Sequence, residues 1–175
     1  MLTRLAATAA AVVLVGMAAT GCGGKKDRAA STTTVTRFPP TVPVNNVQLS
    51  EGTGACGLLS QADVASATGI AANPGTGTRT KTNESCRWTL RAGTNQFVAV
   101  FLTPAGRQQF DQASKTFGST AEPVPGVGDQ AFVSNDTAYA LKGERLVIVE
   151  VSTTQSVAAR KQAAIKLVGG AIGHG

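Results

Sequence analysis

The sequence predicts an α+β domain over residues 48–175, an antiparallel sheet with helices packed mainly on one face, in two layers. Three observations carry this. Cys86, Trp88 and Leu90 alternate with Arg87, Thr89 and Arg91, the two-residue period of a half-buried strand. The runs 130–134, 137–142 and 145–152 are separated only by Asn135-Asp136 and Gly143-Glu144, residue types suited to hairpin turns, so they form a meander. Helix-start signals precede, interrupt and follow these strands, ordering the chain as helix–strands–helix–strands–helix.

Each element has a local reason. Ser60-Gln-Ala-Asp63 is a capping box that opens a short helix over 60–68, stopped by Gly69. After the Gly/Thr-rich stretch 73–78, Arg79–Thr82 reads as an edge strand. Ala92-Gly93-Thr94-Asn95 turns the chain into an apolar strand, Phe97–Leu102. Thr103-Pro104 supplies a cap and a first-turn proline for a second helix that runs to Phe117, with Gly118 as its stop. Phe110, Ala113 and Phe117 recur at helical spacing and should face the sheet. Val124–Asp129 is a turn before the meander, and Ser152-Thr-Thr-Gln155 fits a capping box for a last helix ending near Ile172. The two halves share an order of elements but no residue repeat.

The 175 residues suffice for one ordinary domain and a tail, and 42% apolar content excludes a wholly disordered chain. Residues 1–21 read as a targeting signal. One cation, Arg4, precedes an apolar run from Leu5 to Thr20 that spans about 24 Å as a helix, short of the ~30 Å hydrocarbon core. Ala19-Thr20-Gly21-Cys22 resembles a bacterial lipobox, with Ala19 where Leu is usual. That resemblance implies a thioether lipid on Cys22, loss of residues 1–21 and acylation (a palmitate-type chain) of the new amino terminus. The alternative is an ordinary cleaved signal peptide that leaves Cys22 unmodified. Several acyl chains would hold a protein on the cell membrane far better than one, at about 0.8 kcal/mol per buried CH₂.

Assigning Cys22 to lipid leaves Cys56 and Cys86 in a compartment where disulfides persist. Neither C-x-x-C redox spacing nor a zinc-ligand set is present, so a structural bridge is the better reading, contributing about 3.5–4 kcal/mol by loop closure. Residues 22–47 read as a tether. Pro39, Pro40 and Pro43 oppose regular structure, and the segment has a flexible reach of about 25–30 Å. Lys25, Lys26 and Arg28 would lie close enough to a lipid surface to attract anionic headgroups, by about 1 kcal/mol each. Ser31-Thr32-Thr33-Thr34 resembles the O-glycosylated linkers of actinobacterial envelope proteins.

Four segments occur in order: Cys56-Gly-Leu-Leu-Ser60, Ala62-Asp-Val-Ala-Ser-Ala-Thr-Gly69, Ser85-Cys-Arg-Trp88 and Val124-Pro-Gly-Val-Gly-Asp-Gln-Ala-Phe132. Together with the lipobox they resemble a family of actinobacterial cell-envelope lipoproteins that bear a domain of unknown function, over about 48–172. The resemblance implies an extracytoplasmic lipoprotein with a Cys56–Cys86 bridge. It implies no reaction.

A net charge of +6 invites a nucleic-acid reading, but its distribution opposes one: residues 48–175 hold 11 basic and 9 acidic side chains, a balance of only +2. Arg79, Lys81, Arg87 and Arg91 could align on the outer face of one hairpin and contact an anionic lipid or cell-wall polymer; the plainer reading is a solvated face with edge-protecting cations. Gly126-Val-Gly128-Asp129 lacks the remainder of a phosphate loop, so its expected role is a turn with positive φ at the glycines. Trp88 is expected to pack on the disulfide, and the lone His174 is given no role. With no G-x-S-x-G, no interior His and no paired carboxylates, only a Ser–Lys pair stays formally open, and no metal or cofactor is expected. The leading expectation is a lipid-anchored, non-catalytic protein that binds an envelope protein or small ligand. A carrier of a hydrophobic molecule using Phe97, Phe101, Phe110 and Phe117 is the alternative, and a hydrolase the less favoured one.

Overall fold

A computed structural model describes residues 46–174; Cys22, the signal and nearly all of the tether lie outside them. Eight strands form one antiparallel sheet: β1 Val47–Ser50, β2 Thr76–Arg79, β3 Glu84–Thr89, β4 Phe97–Thr103, β5 Glu122–Pro123, β6 Gln130–Ser134, β7 Thr137–Lys142 and β8 Arg145–Ser152. Three helices complete it: α1 Gln61–Thr68, α2 Arg107–Phe117 and α3 Val157–Gly173. The strand order is β1-β2-β3-β4-β8-β7-β6-β5. Two four-stranded meanders therefore meet at a central β4–β8 seam.

Register assigns each side chain to a face. Val98 opposes Val151 and Val100 opposes Val149 across the seam, while Ala138 and Ala140 continue the same face on β7. All six are fully buried beneath α3, whose Ala163, Ala164, Leu167, Val168, Ala171 and Ile172 point inward. At the other end of this face, Cys56 in the 3-10 turn Gly54–Gly57 is bonded to Cys86 of β3, with a Cα–Cα distance of 5.0 Å. Trp88, on the same face, packs beside that bond. A Cβ on the buried Gly75 would stand 2.6 Å from the indole and 2.9 Å from Cys86 Sγ, so only glycine lets the chain pass there. α1 opens with the expected reciprocal cap, Ser60 Oγ accepting from Asp63 N and Asp63 Oδ2 accepting from Ser60 N, and closes at Gly69.

The α+β class, the central meander and the helices mainly on one face are as the sequence predicts; α2 is the exception. Its Phe110 and Phe117 pack on Phe132, Tyr139, Leu141 and Leu146, which point away from α3, so the domain is locally three layers deep. Several boundaries move for identifiable reasons. α2 starts at Arg107, not at Thr103-Pro104, because Thr103 still pairs with Leu146 as the last residue of β4. α3 starts at Val157 with Ser156 as its cap, because Ser152 pairs with Phe97 at the end of β8. The strand expected at 79–82 is β2, three residues earlier, since Thr80–Asn83 close the turn to β3. β2 is also not an edge: β1 lies outside it, and the short, proline-containing β5 forms the other edge. The Gly126–Asp129 turn behaves as read. Both glycines have positive φ, and Asp129 Oδ2 accepts from Gly143 N at 2.7 Å.

Candidate functional site

The face opposite α3 is only half covered. The β4–α2–β5 connection carries α2 over β6, β7 and the start of β8, leaving β2, β3, β4 and the end of β8 open on that side. Three large apolar side chains are exposed among the described residues. Val47 begins the edge strand β1 and Val157 begins α3, but Phe101 sits within the central strand β4 at 40% exposure. That position calls for an explanation, because a mid-sheet aromatic is ordinarily buried.

Around Phe101 the surface is a trough. Two adjoining hollows of about 360 and 260 Å³ share Phe101 and Glu150 as common walls. The first continues along Tyr139, Ile148 and Thr137 to Gln109 of α2. The second runs over Ala99 to Phe97, Arg87 and Ser85. The Arg87 guanidinium lies 3.5 Å from the Phe97 ring centroid, a cation–π contact that tethers the charge at the β3 side. Tyr139 stacks on Phe132, with centroids 4.5 Å apart and planes at 12°, which locks its ring at the edge of the trough. Burial, and behind it the charge of Glu150, push the Tyr139 phenol above its ordinary pKa. Chemically the trough offers aromatic and methyl surface, one carboxylate, and hydroxyls from Thr137 and Tyr139 as hydrogen-bond partners.

Of the four expected anion-contacting cations, only Arg87 reaches this trough. Arg79 opposes Glu84, so it lies on the α3 face, where its Nε donates to Glu84 Oε1 at 2.5 Å. Lys81 lies in the β2–β3 turn, and Arg91 Nε donates to Asn73 Oδ1 at 3.0 Å beyond the end of β3. The alignment of the four on one face is therefore not realised. Strand parity places Arg79 and Arg87 on opposite sides. The four phenylalanines divide similarly: Phe110 and Phe117 fill the space beneath α2, while Phe97 and Phe101 line the trough. Trp88, fully buried, is part of the core and presents nothing to a ligand.

A second, smaller groove of about 150 Å³ lies between α1 and α3, lined by Asp63, Ser66, Lys166 and His174. Lys166 Nζ donates to Ser66 Oγ at 2.9 Å and to Ser66 O at 3.3 Å. It is a Ser–Lys contact of the kind the sequence leaves formally open, at residues the sequence did not single out. Both side chains are exposed and the ammonium is shared with a backbone carbonyl, so the pair ties two helices together at the surface. The Ser60 hydroxyl and then its backbone N–H hold the Asp63 carboxyl below its ordinary pKa, with smaller contributions from His174 and Lys166. Among the described residues no cluster of three His, Cys, Asp or Glu side chains is placed to hold a metal.

The sequence reading missed Glu150 and Tyr139. One signal for Glu150 was present: it is the lone charged residue within the apolar run 146–151 of β8. A scan against known protein families, a search of curated proteins and a search of solved structures each found no match.

Proposed function

We propose that this chain is an actinobacterial envelope lipoprotein, held on the extracytoplasmic face of the cell membrane through acylated Cys22, whose domain binds a ligand without chemical turnover. The observation that supports a binding role is the uncovered half of one sheet face, with Phe101 exposed in a central strand beside two adjoining hollows. Apolar concavities with a few convergent polar groups are the usual form of ligand sites. The membrane assignment rests on the lipobox and the apolar run before it. Among the described residues no helix is long and apolar enough to cross a membrane.

A photo-crosslinking amino acid at position 101, compared with one at the more exposed Val157, tests the binding role in intact cells. A species captured from 101 and not from 157 is the expected result. Identical capture from both positions, or none from 101, removes the trough as the site. Intact mass of the purified chain tests the anchor: a mature protein beginning at Cys22 with its acyl groups is expected, and an unmodified Cys22 overturns that part.

A carrier of a hydrophobic molecule is the second reading. Beneath α2, Phe110 and Phe132 pack on one another, so a hydrophobic cargo would lie on the open trough or in the hollow of about 380 Å³ that Phe110, Ala121, Pro123 and Phe132 line beside α2.

A further inference from the structure

We infer that the trough is built for a small organic ammonium: a protonated amine on a flat or short apolar body, with its cationic group at Glu150. This rests on the reading of the trough as a binding site and names the class of ligand.

The register supplies the geometry. Glu150 lies between Ala99 of β4 and Thr137 of β7. Its diagonal neighbours are Phe97 and Phe101 on β4 and Tyr139 on β7, each about 7–8 Å away by sheet geometry. A carboxylate is thus ringed on three diagonals by aromatic side chains, with a methyl-sized floor at Ala99. Among the described residues no ion pair or hydrogen bond engages its oxygens; the ion pairs present join Arg79–Glu84, Arg107–Glu144, Arg160–Asp136 and Lys161–Glu122. The one cation lining the trough, Arg87, has its backbone two strands away, about 10 Å by strand spacing; its guanidinium is held on the Phe97 ring and makes no ion pair with Glu150. An unpaired carboxylate with aromatic walls has the chemistry that recognises organic ammonium groups, joining ion pairing to cation–π attraction.

The alternatives fit less well. Calcium takes six to eight oxygen ligands and magnesium an octahedral set, whereas one carboxylate among apolar walls supplies two strong donors. An anionic ligand would meet Glu150 at the centre of the site. The capacity, about 360 Å³ on the Tyr139 side, suits a small molecule better than a folded partner.

The test uses the full chain purified in a non-ionic detergent and three probes of one shape, followed by ¹⁹F NMR: 2-(4-fluorophenyl)ethylammonium, 2-(4-fluorophenyl)ethanol and 4-fluorophenylacetate. The ammonium is expected to bind at least tenfold more tightly than the alcohol, and the acetate weakest. Glu150→Gln, which keeps the side-chain shape, should erase the preference for the ammonium, and Phe101→Ala should weaken all binding several-fold. Equal binding of ammonium and alcohol, or an unchanged preference in Glu150→Gln, overturns the ammonium assignment while leaving the trough as a site. Binding of none of the three also overturns it, and crosslinking from position 101 then decides separately whether the trough binds anything.

Discussion

On one face of the sheet, α3, α1 and the Cys56–Cys86 bridge bury Val98, Val100, Val147, Val149 and Val151 completely; on the other, α2 shelters one side and Phe101 stays 40% exposed. The contrast follows from length. α3 has 17 residues, about 25 Å of helix, and is joined on its face by α1 and a disulfide-bonded turn. α2 has 11 residues, about 16 Å, against a sheet whose eight strands span about 34 Å. A short helix cannot roof so wide a sheet. Where the roof ends, Thr76, Thr78, Ser85 and Arg87 suit a solvated surface, but Phe97 and Phe101 do not. One face holds the fold together, and the open half of the other is the surface proposed for binding.

That division can be broken from either side. The largest effect is expected on the sealed face: replacing both Cys56 and Cys86 with Ser should lower unfolding stability by about 3–4 kcal/mol. Urea denaturation followed by the fluorescence of Trp88, the chain's one tryptophan, reads this. A loss below about 1 kcal/mol would mean the face closes without its bridge. Phe110→Ala should cost about 3 kcal/mol, since that ring is 4% exposed and anchors α2.

Ser60→Ala should cost about 1 kcal/mol through the lost cap of α1. Its partner gives that cap a pH signature. The folded Asp63 carboxyl lies below its ordinary value of 3.8, so its stabilising contribution is present above that value and is lost as pH falls through the folded pKa. The stability difference between the native chain and Asp63→Ala should therefore be full near pH 6 and shrink below about pH 3.8. Acid titration by circular dichroism tests it; a constant difference would refute the reciprocal cap.

Phe101→Ala, by contrast, should change stability by less than about 1 kcal/mol, because so much of the ring is already in water. A loss near that of Phe110→Ala would make Phe101 a core residue and close the trough as a site. The smallest effect is spectroscopic. Tyr139 is the chain's one tyrosine, so its ionisation can be followed by absorbance alone. Glu150→Gln should move that titration downward by removing the lesser of its two causes, and burial should still hold it above the ordinary value.

Local grammar made much of the fold legible: the Ser60–Asp63 box, the alternation through Trp88 and the turns at Asn135 and Gly143 all depend on neighbours in sequence. Helix starts were less legible where one residue could serve two elements. Thr103 is a fair cap and also a fair end to a strand, and its pairing with Leu146 decides for the strand. The trough was scarcely legible at all. Ala99 and Glu150 become neighbours only through the β4–β8 seam, between residues far apart in sequence, and no local pattern announces that pairing. The cation stripe failed for a related reason: once β2 pairs Arg79 with Glu84, strand parity sends Arg79 and Arg87 to opposite faces.

The chain enters the domain through β1, the outermost strand, and Cys56 follows within a few residues. Tension arriving from the amino-terminal side would peel β1 from β2 one residue pair at a time, a motion that asks little force. Unravelling then stops at a covalent bond. From Cys56 the pull passes directly to Cys86 in β3, bypassing α1, β2 and their loops. The residues between the two cysteines, 57–85, stay slack, and the β4–β8 seam that carries the trough lies behind that stop.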